Sequence, residues 1–159
     1  MKLQKILFSF DGRIGRRTYW LAILALIVAV QVLTFAPFLL ESEGWAVLII
    51  ALTSQFIWLL SLWPMVAVGS KRLHDRDKSG WWLLVFWVLP FFLFFGGFGY
   101  GFTSRGPDVS AALSTASMMM LAALLIALWG IVELGILPGT KGANRFGAGP
   151  APAAGAVAQ

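Results

Sequence analysis

The chain of 159 residues contains no cysteine and a single histidine, and only seven of its residues are acidic. The absence of cysteine excludes disulfide bonds, a thiolate nucleophile and cysteine-ligated zinc. A zinc site needs three or four protein ligands, usually cysteine and histidine, and this chain has one histidine and no cysteine. Charged residues make up 12% of the chain, whereas a soluble domain has roughly 25%. The sequence therefore predicts neither a disulfide framework nor a metal site, and it is not typical of a soluble domain.

Long uncharged hydrophobic segments are what the chain contains instead. Hydrophobic residues make up 59% of it, and the mean hydropathy is +0.83. Crossing the hydrocarbon core of a bilayer takes about 20 apolar residues, and four stretches reach that length. Each is predicted to be a helix, because a helix satisfies its own backbone hydrogen bonds in lipid. The predicted spans cover about residues 19–40, 45–68, 81–102 and 109–137.

These four segments predict an all-α membrane protein, a four-helix bundle in which residues 1–150 form a single domain. Pro64 is expected near the end of its helix, where the loss of a backbone hydrogen bond costs least. The final residues, 151–159, are rich in Ala, Gly and Pro and have almost nothing to bury. Their composition is typical of a disordered tail.

The basic residues are distributed unevenly between the two sides of the spans. Eleven of the twelve lie before the first span, between the second and third, or after the fourth. By the positive-inside rule, both termini and the middle loop are therefore predicted to be cytoplasmic. The net charge of +5 favours attraction to an anionic lipid leaflet, at about 1 kcal/mol per basic residue, over binding to nucleic acid.

The first ten residues carry a short amphipathic pattern. Leu3, Ile6, Leu7 and Phe10 are spaced i, i+3, i+4 and i+7, which places them on one face of a helix. Beside a membrane, such a helix is predicted to lie in the interface. The alternative is a frayed terminus whose periodicity has no structural meaning.

The segment KRLHDRDK, residues 71–78, contains the only histidine and a third of the basic residues. Thr18 and Ser79 are predicted N-caps of the first and third spans, because a hydroxyl at that position accepts a backbone hydrogen bond. A helix N-terminus beside Lys or Arg is a ready anion site. The residues predicted to bind a lipid headgroup or another anion are Arg13, Arg16, Arg17, Arg72, His74, Asp75, Lys78, Ser79, Asn144 and Arg145.

Other interpretations of the same residues stay open. The basic residues can serve only to stop translocation, with Trp residues anchoring the interface. His74 and its neighbours can instead form a structural cluster of hydrogen bonds and ion pairs. If the second helix continues through the loop, Lys71 and Asp75 become i,i+4 neighbours, as do His74 and Lys78. No catalytic residue is predicted, because a triad is recognised by geometry and not by adjacency in sequence.

Glu133 is the one charged residue within the predicted spans, about one and a half turns from the cytoplasmic end of the fourth. An acidic residue at such a depth is a candidate functional site by default. The alternatives are that its side chain reaches up to the interface, or that it pairs with Arg72 or Arg145.

Three cytoplasmic stretches, FSFDGRIGRRTYW, KRLHDRDKSGWW and PGTKGANRFGAGP, resemble one family of small bacterial inner-membrane proteins. This is the family of the YhaH/YhaI type, domain of unknown function 805, and the resemblance covers residues 8–150. It implies four helices in the bacterial inner membrane and no established enzyme activity. The positions that match the family pattern are Gly12, Arg13, Arg16, Trp20, Arg72, Leu73, His74, Asp75, Ser79, Gly80, Trp81, Gly142, Asn144 and Gly147.

The sequence thus leads to two functional hypotheses, neither of them enzymatic and neither needing a cofactor. The first is a membrane module whose basic cytoplasmic face binds anionic phospholipid, a membrane-protein partner or a second copy of itself. The second is a small transporter or lipid-handling protein that uses Glu133 and the residues around His74. A transporter is expected to place polar groups near the bilayer midplane, and only Gln31 and Gln55 come close to it. The first hypothesis is therefore favoured.

Overall fold

The computed structural model describes residues 3–35, 44–104 and 109–148. Their regular secondary structure is helical, apart from an isolated β-bridge between Asn144 and Gly147. A π-helical turn precedes the fourth α-helix and another follows the fifth. In chain order the elements are α1 Leu3–Phe8, α2 Arg16–Phe35, α3 Trp45–Asp75, the π-helical turn Leu84–Val88, α4 Leu89–Thr103, α5 Val109–Ile131 and the π-helical turn Val132–Ile136.

Four of these helical segments are long and apolar enough to cross a membrane, which confirms the prediction of a helical protein with four candidate spans. They are Arg16–Phe35, Ile49–Asp75, Leu84–Thr103 and Val109–Ile136. Their outward side chains are mostly large and apolar, as lipid contact requires. The predicted end of the first span, residues 36–40, and the predicted tail, residues 151–159, lie outside the described residues.

The second spanning helix, α3, is longer than its hydropathy suggests. It runs for 31 residues and contains Pro64 in its interior, so the expectation that Pro64 lies near the end of the helix is wrong. At 1.5 Å per residue α3 is roughly 46 Å long, against roughly 30 Å of hydrocarbon. Its polar last turns, which carry Lys71 and Asp75, can therefore extend beyond the hydrocarbon.

The first spanning helix begins earlier than predicted. The backbone N–H of Tyr19 donates to the Gly15 carbonyl at 3.0 Å, and α2 starts at Arg16. Thr18 consequently lies in the first turn, and its prediction as an N-cap is wrong. Ser79 does precede the third spanning segment, and its hydroxyl accepts a long hydrogen bond of 3.5 Å from the N–H of Trp81.

The chain divides into two compact units. The first contains α1, α2, α3 and residues 138–148, and in it both α1 and α2 pack against α3. The second, residues 79–137, contains α4 and α5 with their π-helical turns. The helices of the second unit approach closely at Gly97, where a Cβ would lie 3.0 Å from the carbonyl oxygen of Ala116. The single domain predicted for residues 1–150 stays a prediction.

The orientation of the chain in the membrane also stays a prediction, and the absence of native cysteine makes it testable. Single cysteines at Ser104 and Ser110 are expected to react with a membrane-impermeant maleimide added outside spheroplasts. Cysteines at Ser9 and Ala143 are expected to react only after the membrane is permeabilised. Labelling in the opposite order would mean that the basic segments face the periplasm.

Candidate functional site

Asp75, at the end of α3, forms ion pairs with two arginines. Its Oδ1 accepts from Arg13 Nη2 at 3.1 Å, and its Oδ2 accepts from Arg72 Nη1 at 2.5 Å. All three residues are buried, with at most 4% of their surface exposed. Buried charges persist only when they are paired and hydrogen-bonded, so this carboxylate fixes both guanidinium groups in place. We call Arg13, Arg72, Asp75 and Thr140 the Asp75 cluster.

Arg13 connects three parts of the chain that are distant in sequence. All its guanidinium nitrogens donate: Nε and Nη2 to Asp75, Nη2 also to the Thr140 carbonyl at 2.8 Å, and Nη1 to the Gly142 carbonyl at 2.7 Å and the Gly147 carbonyl at 3.2 Å. A planar group with five N–H donors suits such a set of acceptors, and an ammonium group does not. Arg13 therefore holds residues 140–147 against the end of α3.

The C-terminal segment, residues 138–148, has the backbone shape that presents these carbonyls. Asn144 and Gly147 exchange two backbone hydrogen bonds of 3.0 and 2.9 Å, closing a tight turn. Gly147 has a φ of 118°, a conformation that side chains with a Cβ rarely adopt. The Asn144 side chain stabilises the turn by accepting from the Phe146 N–H at 2.9 Å. The turn thus sets the direction of the Gly147 carbonyl.

Further hydrogen bonds attach this segment to the last turn of α3. The backbone N–H of Thr140 donates to the Asp75 carbonyl at 2.8 Å, and Asn144 Nδ2 donates to the His74 carbonyl at 2.8 Å. These bonds satisfy carbonyls that a helix C-terminus leaves without intrahelical partners. Gly139 lies so close to the Asp75 carboxylate that a Cβ would overlap it.

His74 stacks on an aromatic ring of the same segment. The imidazole and the Phe146 ring are 3.9 Å apart and nearly parallel, at 5°. Arg145 lies on the Phe146 ring, 4.8 Å from its centroid. The Nδ1 atom of His74 is buried and has no hydrogen-bond partner among the described residues. In this environment His74 acts as a flat packing surface for Phe146.

Lys71 connects α1 to α3. Its ammonium group is fully buried and donates to the carbonyls of Lys5, at 2.7 Å, and Ile6. These carbonyls belong to the end of α1, where a cation is favourable for the helix dipole. The helix does continue through the loop as far as Asp75, but the carboxylate pairs with Arg72 at i,i+3 and Arg13, not with Lys71.

The turn after α3 carries a more exposed ion pair. Asp77 has a φ of 57°, and the backbone N–H of Lys78 donates to the Leu73 carbonyl at 2.9 Å, as in a Schellman motif. Arg145 Nε is 3.2 Å from Asp77 Oδ1, with about half of both side chains exposed. Surface pairs of this kind contribute up to about 1 kcal/mol.

The remaining predicted site residues lie elsewhere. Arg16 and Arg17 are exposed in the first turn of α2, and Lys78 and Ser79 are half-buried in the turn after α3. Glu133 is buried within the π-helical turn Val132–Ile136 and belongs to the second unit. Among the described residues, no three His, Asp or Glu side chains converge as they would around a metal ion.

The structure thus brings one set of the predicted residues into contact. This set comprises Arg13, Arg72, Asp75 and Asn144, joined directly or through Thr140 and His74. We call it the polar layer. Three participants were missed by the sequence analysis: Gly139, Thr140 and Phe146. Gly139 contributes by its close approach to Asp75, and Thr140 mainly by its backbone hydrogen bonds. A pattern of side chains in the sequence does not predict such backbone contacts. Phe146 stands in the PGTKGANRFGAGP motif, and its occurrence there as the one aromatic residue was the available signal.

Comparison with known proteins relates the chain to a family of unknown function and to bacterial inner membrane proteins. The family model described as "Protein of unknown function (DUF805)" matches residues 7–148. The uncharacterized protein YiiR of Escherichia coli K12 is 31% identical over 150 residues, which cover 92% of this chain and 89% of YiiR. The inner membrane protein YhaH of the same organism is 33% identical over 93 residues, 57% of this chain and 73% of YhaH. YhaI, also named an inner membrane protein, is 31% identical over 83 residues, 52% of this chain and 64% of YhaI. No solved structure matches the chain.

Proposed function

Because the chain belongs to the DUF805 family, whose function is not assigned, we propose from its own geometry that it is a non-enzymatic membrane module that binds anionic phospholipid headgroups. Its predicted location in the inner membrane is confirmed by the relatives named inner membrane proteins and by the four candidate spans. The proposed binding surface is the exposed basic residues around the start of α2, chiefly Arg16 and Arg17.

The observation that carries the proposal is that two of the arginines are buried and two are exposed. Arg13 and Arg72 are buried and engaged by Asp75, so we assign them to the Asp75 cluster and not to the binding surface. Arg16 and Arg17 closely follow Arg13 in the chain and are exposed. Anchoring of Arg13 therefore positions two cations at the first turn of a spanning helix.

The surroundings of Arg16 and Arg17 suit a membrane interface. Trp20 lies one turn further along α2 and is exposed, and Trp residues are enriched at membrane interfaces. The backbone N–H groups of the first helical turn add partial positive charge at the same level. Lys5, in the same unit, is also exposed. An anionic phosphate is the chemistry that these groups favour.

A transport function is less favoured by the described residues. Gln31 and Gln55 are both exposed, and neither lines the apolar hollows along α2 or between α4 and α5. Glu133 lies near one end of its span, within the π-helical turn, and Arg72 and Asp75 lie in the last turn of α3. These charged side chains thus lie at helix ends, which supports surface binding over passage of a solute.

The proposal predicts a specific loss of anionic-lipid affinity when Arg16 and Arg17 are both replaced by glutamine. Each cation contributes about 1 kcal/mol, so affinity for phosphatidylglycerol is expected to fall more than about tenfold. Native mass spectrometry of the detergent-solubilised protein with added phosphatidylglycerol measures this directly.

The matched control for that variant is K141Q/R145Q, which removes the same number of charges from the same unit. Arg145 is engaged by Asp77, and its loss together with that of Lys141 is expected to change affinity much less. Equal losses in both double variants would show that only net charge matters. No loss in either would contradict the proposed function.

A further inference from the structure

A hollow lies along the seam between α4 and α5, within the second unit. Its volume is about 620 Å³, and every residue around it is apolar. One wall is aromatic, with Phe86, Trp87, Phe91 and Phe94 among its side chains. The opposite wall, on α5, contains large side chains such as that of Leu124 and small ones such as that of Ala127. At the small side chains the rings leave space that neither helix fills.

The hollow is bounded at both ends by close contacts between the two helices. At one end, a Cβ on Gly130 would lie 3.0 Å from the Cβ of Phe86. At the other, a Cβ on Gly97 would lie 3.0 Å from the Cβ of Met119. Gly97 follows Phe86 by eleven positions, roughly 16 Å along a helix. This length is close to one leaflet of a hydrocarbon core that is roughly 30 Å thick.

The π-helical turn Leu84–Val88 contributes to this shape. A π-helical turn holds an extra residue, which changes the direction of the side chains within it. Here Phe86 packs edge-on against Trp129, with ring centroids 5.0 Å apart, and closes that end of the seam. Pro90 follows two residues after the turn and lines the hollow. Irregular turns of this kind occur frequently at functional sites in helices.

The chemistry of the walls defines what can occupy the hollow. With only apolar residues around it and lipid outside, a polar ligand would lose its hydrogen bonds on entering. A hydrocarbon chain would gain contacts along both walls, since an unfilled space forfeits dispersion attraction. The length of about one leaflet fits one acyl chain of a membrane lipid.

We infer that the hollow between α4 and α5 holds one acyl chain of a membrane phospholipid. The close contacts at Gly130 and Gly97 bound the two ends of the space, so a chain segment of about one leaflet fits between them.

Photocrosslinking tests the inference on the unaltered protein. Phosphatidylglycerol with a diazirine midway along one acyl chain is reconstituted with the full chain, irradiated, and its adducts are located by mass spectrometry. Adducts are expected to concentrate in residues 86–95 and 120–127. An even spread over the exposed side chains of α2 and α3 would overturn the inference.

A variant that fills the hollow provides a second test. Ala127→Phe is expected to remove most of the adducts in residues 86–95, and Ala111→Phe, which adds the same ring at an exposed position of α5, is expected to leave them. Equal labelling in both variants would contradict the acyl-chain site. The same lipid tail on phosphatidylethanolamine is expected to label the hollow equally, because the walls contact only the acyl chain. Labelling by phosphatidylglycerol alone would contradict a site that depends on the acyl chain and not on the headgroup.

Discussion

Replacing Asp75 by asparagine is expected to destabilise the protein by about 3–5 kcal/mol, the usual cost of removing one partner from a buried ion pair. The amide cannot neutralise Arg13 and Arg72, and both guanidinium groups would remain buried with their charge uncompensated. Thermal or denaturant unfolding in detergent, followed by circular dichroism, measures the change. We expect a large fall in the melting temperature or a failure to accumulate the folded protein.

Asp77→Asn is the matched control, because it makes the same chemical change two residues further on. Asp77 pairs with Arg145 at the surface, so its loss is expected to cost less than about 1 kcal/mol. Asparagine also tolerates the positive φ of this position. If both variants unfolded at the same temperature as the parent, the Asp75 cluster would not stabilise the fold, and its role as a structural layer would be wrong.

Replacing Gly139 by alanine is expected to cost about 2–3 kcal/mol, the upper part of the usual range for overpacking. The new methyl group would overlap the Asp75 carboxylate, which cannot move away without breaking its bonds to the two arginines. The strain therefore acts on the same ion pairs as the loss of the carboxylate, although it removes no charge. Unfolding in detergent again provides the measurement.

Gly99→Ala serves as the control for this substitution. Gly99 lies within α4, and a methyl group there would meet no atom of the described residues within 4 Å, so alanine should leave stability unchanged or slightly higher. A Gly139→Ala protein as stable as Gly99→Ala would show that the C-terminal segment yields easily. In that case Asp75 would not be held by the backbone of residues 139–140.

The membrane helices were predictable because one physical requirement governs them. An apolar stretch of about 20 residues has few stable alternatives to a helix across lipid. The end of α3 was not predictable in the same way. Hydropathy falls after Val68, and this fall marks where the apolar segment ends, not where the helix ends. The helix continues because Lys71 and Arg72 find partners for their charges.

The sequence predicted several residues of the candidate site but not the contacts between them. Arg13, Asp75 and Asn144 stand in three sequence motifs that were expected on one side of the membrane. Which atoms meet depends on contacts between residues 62 to 134 positions apart, such as those from Arg13 to Asp75 and Gly147. The sequence also could not show that most acceptors for Arg13 are backbone carbonyls, since every residue carries one.

The first unit is discontinuous in the chain, and this has a consequence for how the protein is made. Its parts are separated by residues 79–137, so a ribosome delivers Arg13 long before it delivers the carbonyls of residues 140–147. Until then Arg13 can pair with Asp75, but its Nη1 has no carbonyl acceptor and has to remain hydrated. Completion of the polar layer is therefore a late event in biogenesis, reached only after both ends of the chain have emerged. A product that stops at residue 137 would contain all four spanning helices and still lack most acceptors for Arg13. Its polar layer would therefore remain incomplete.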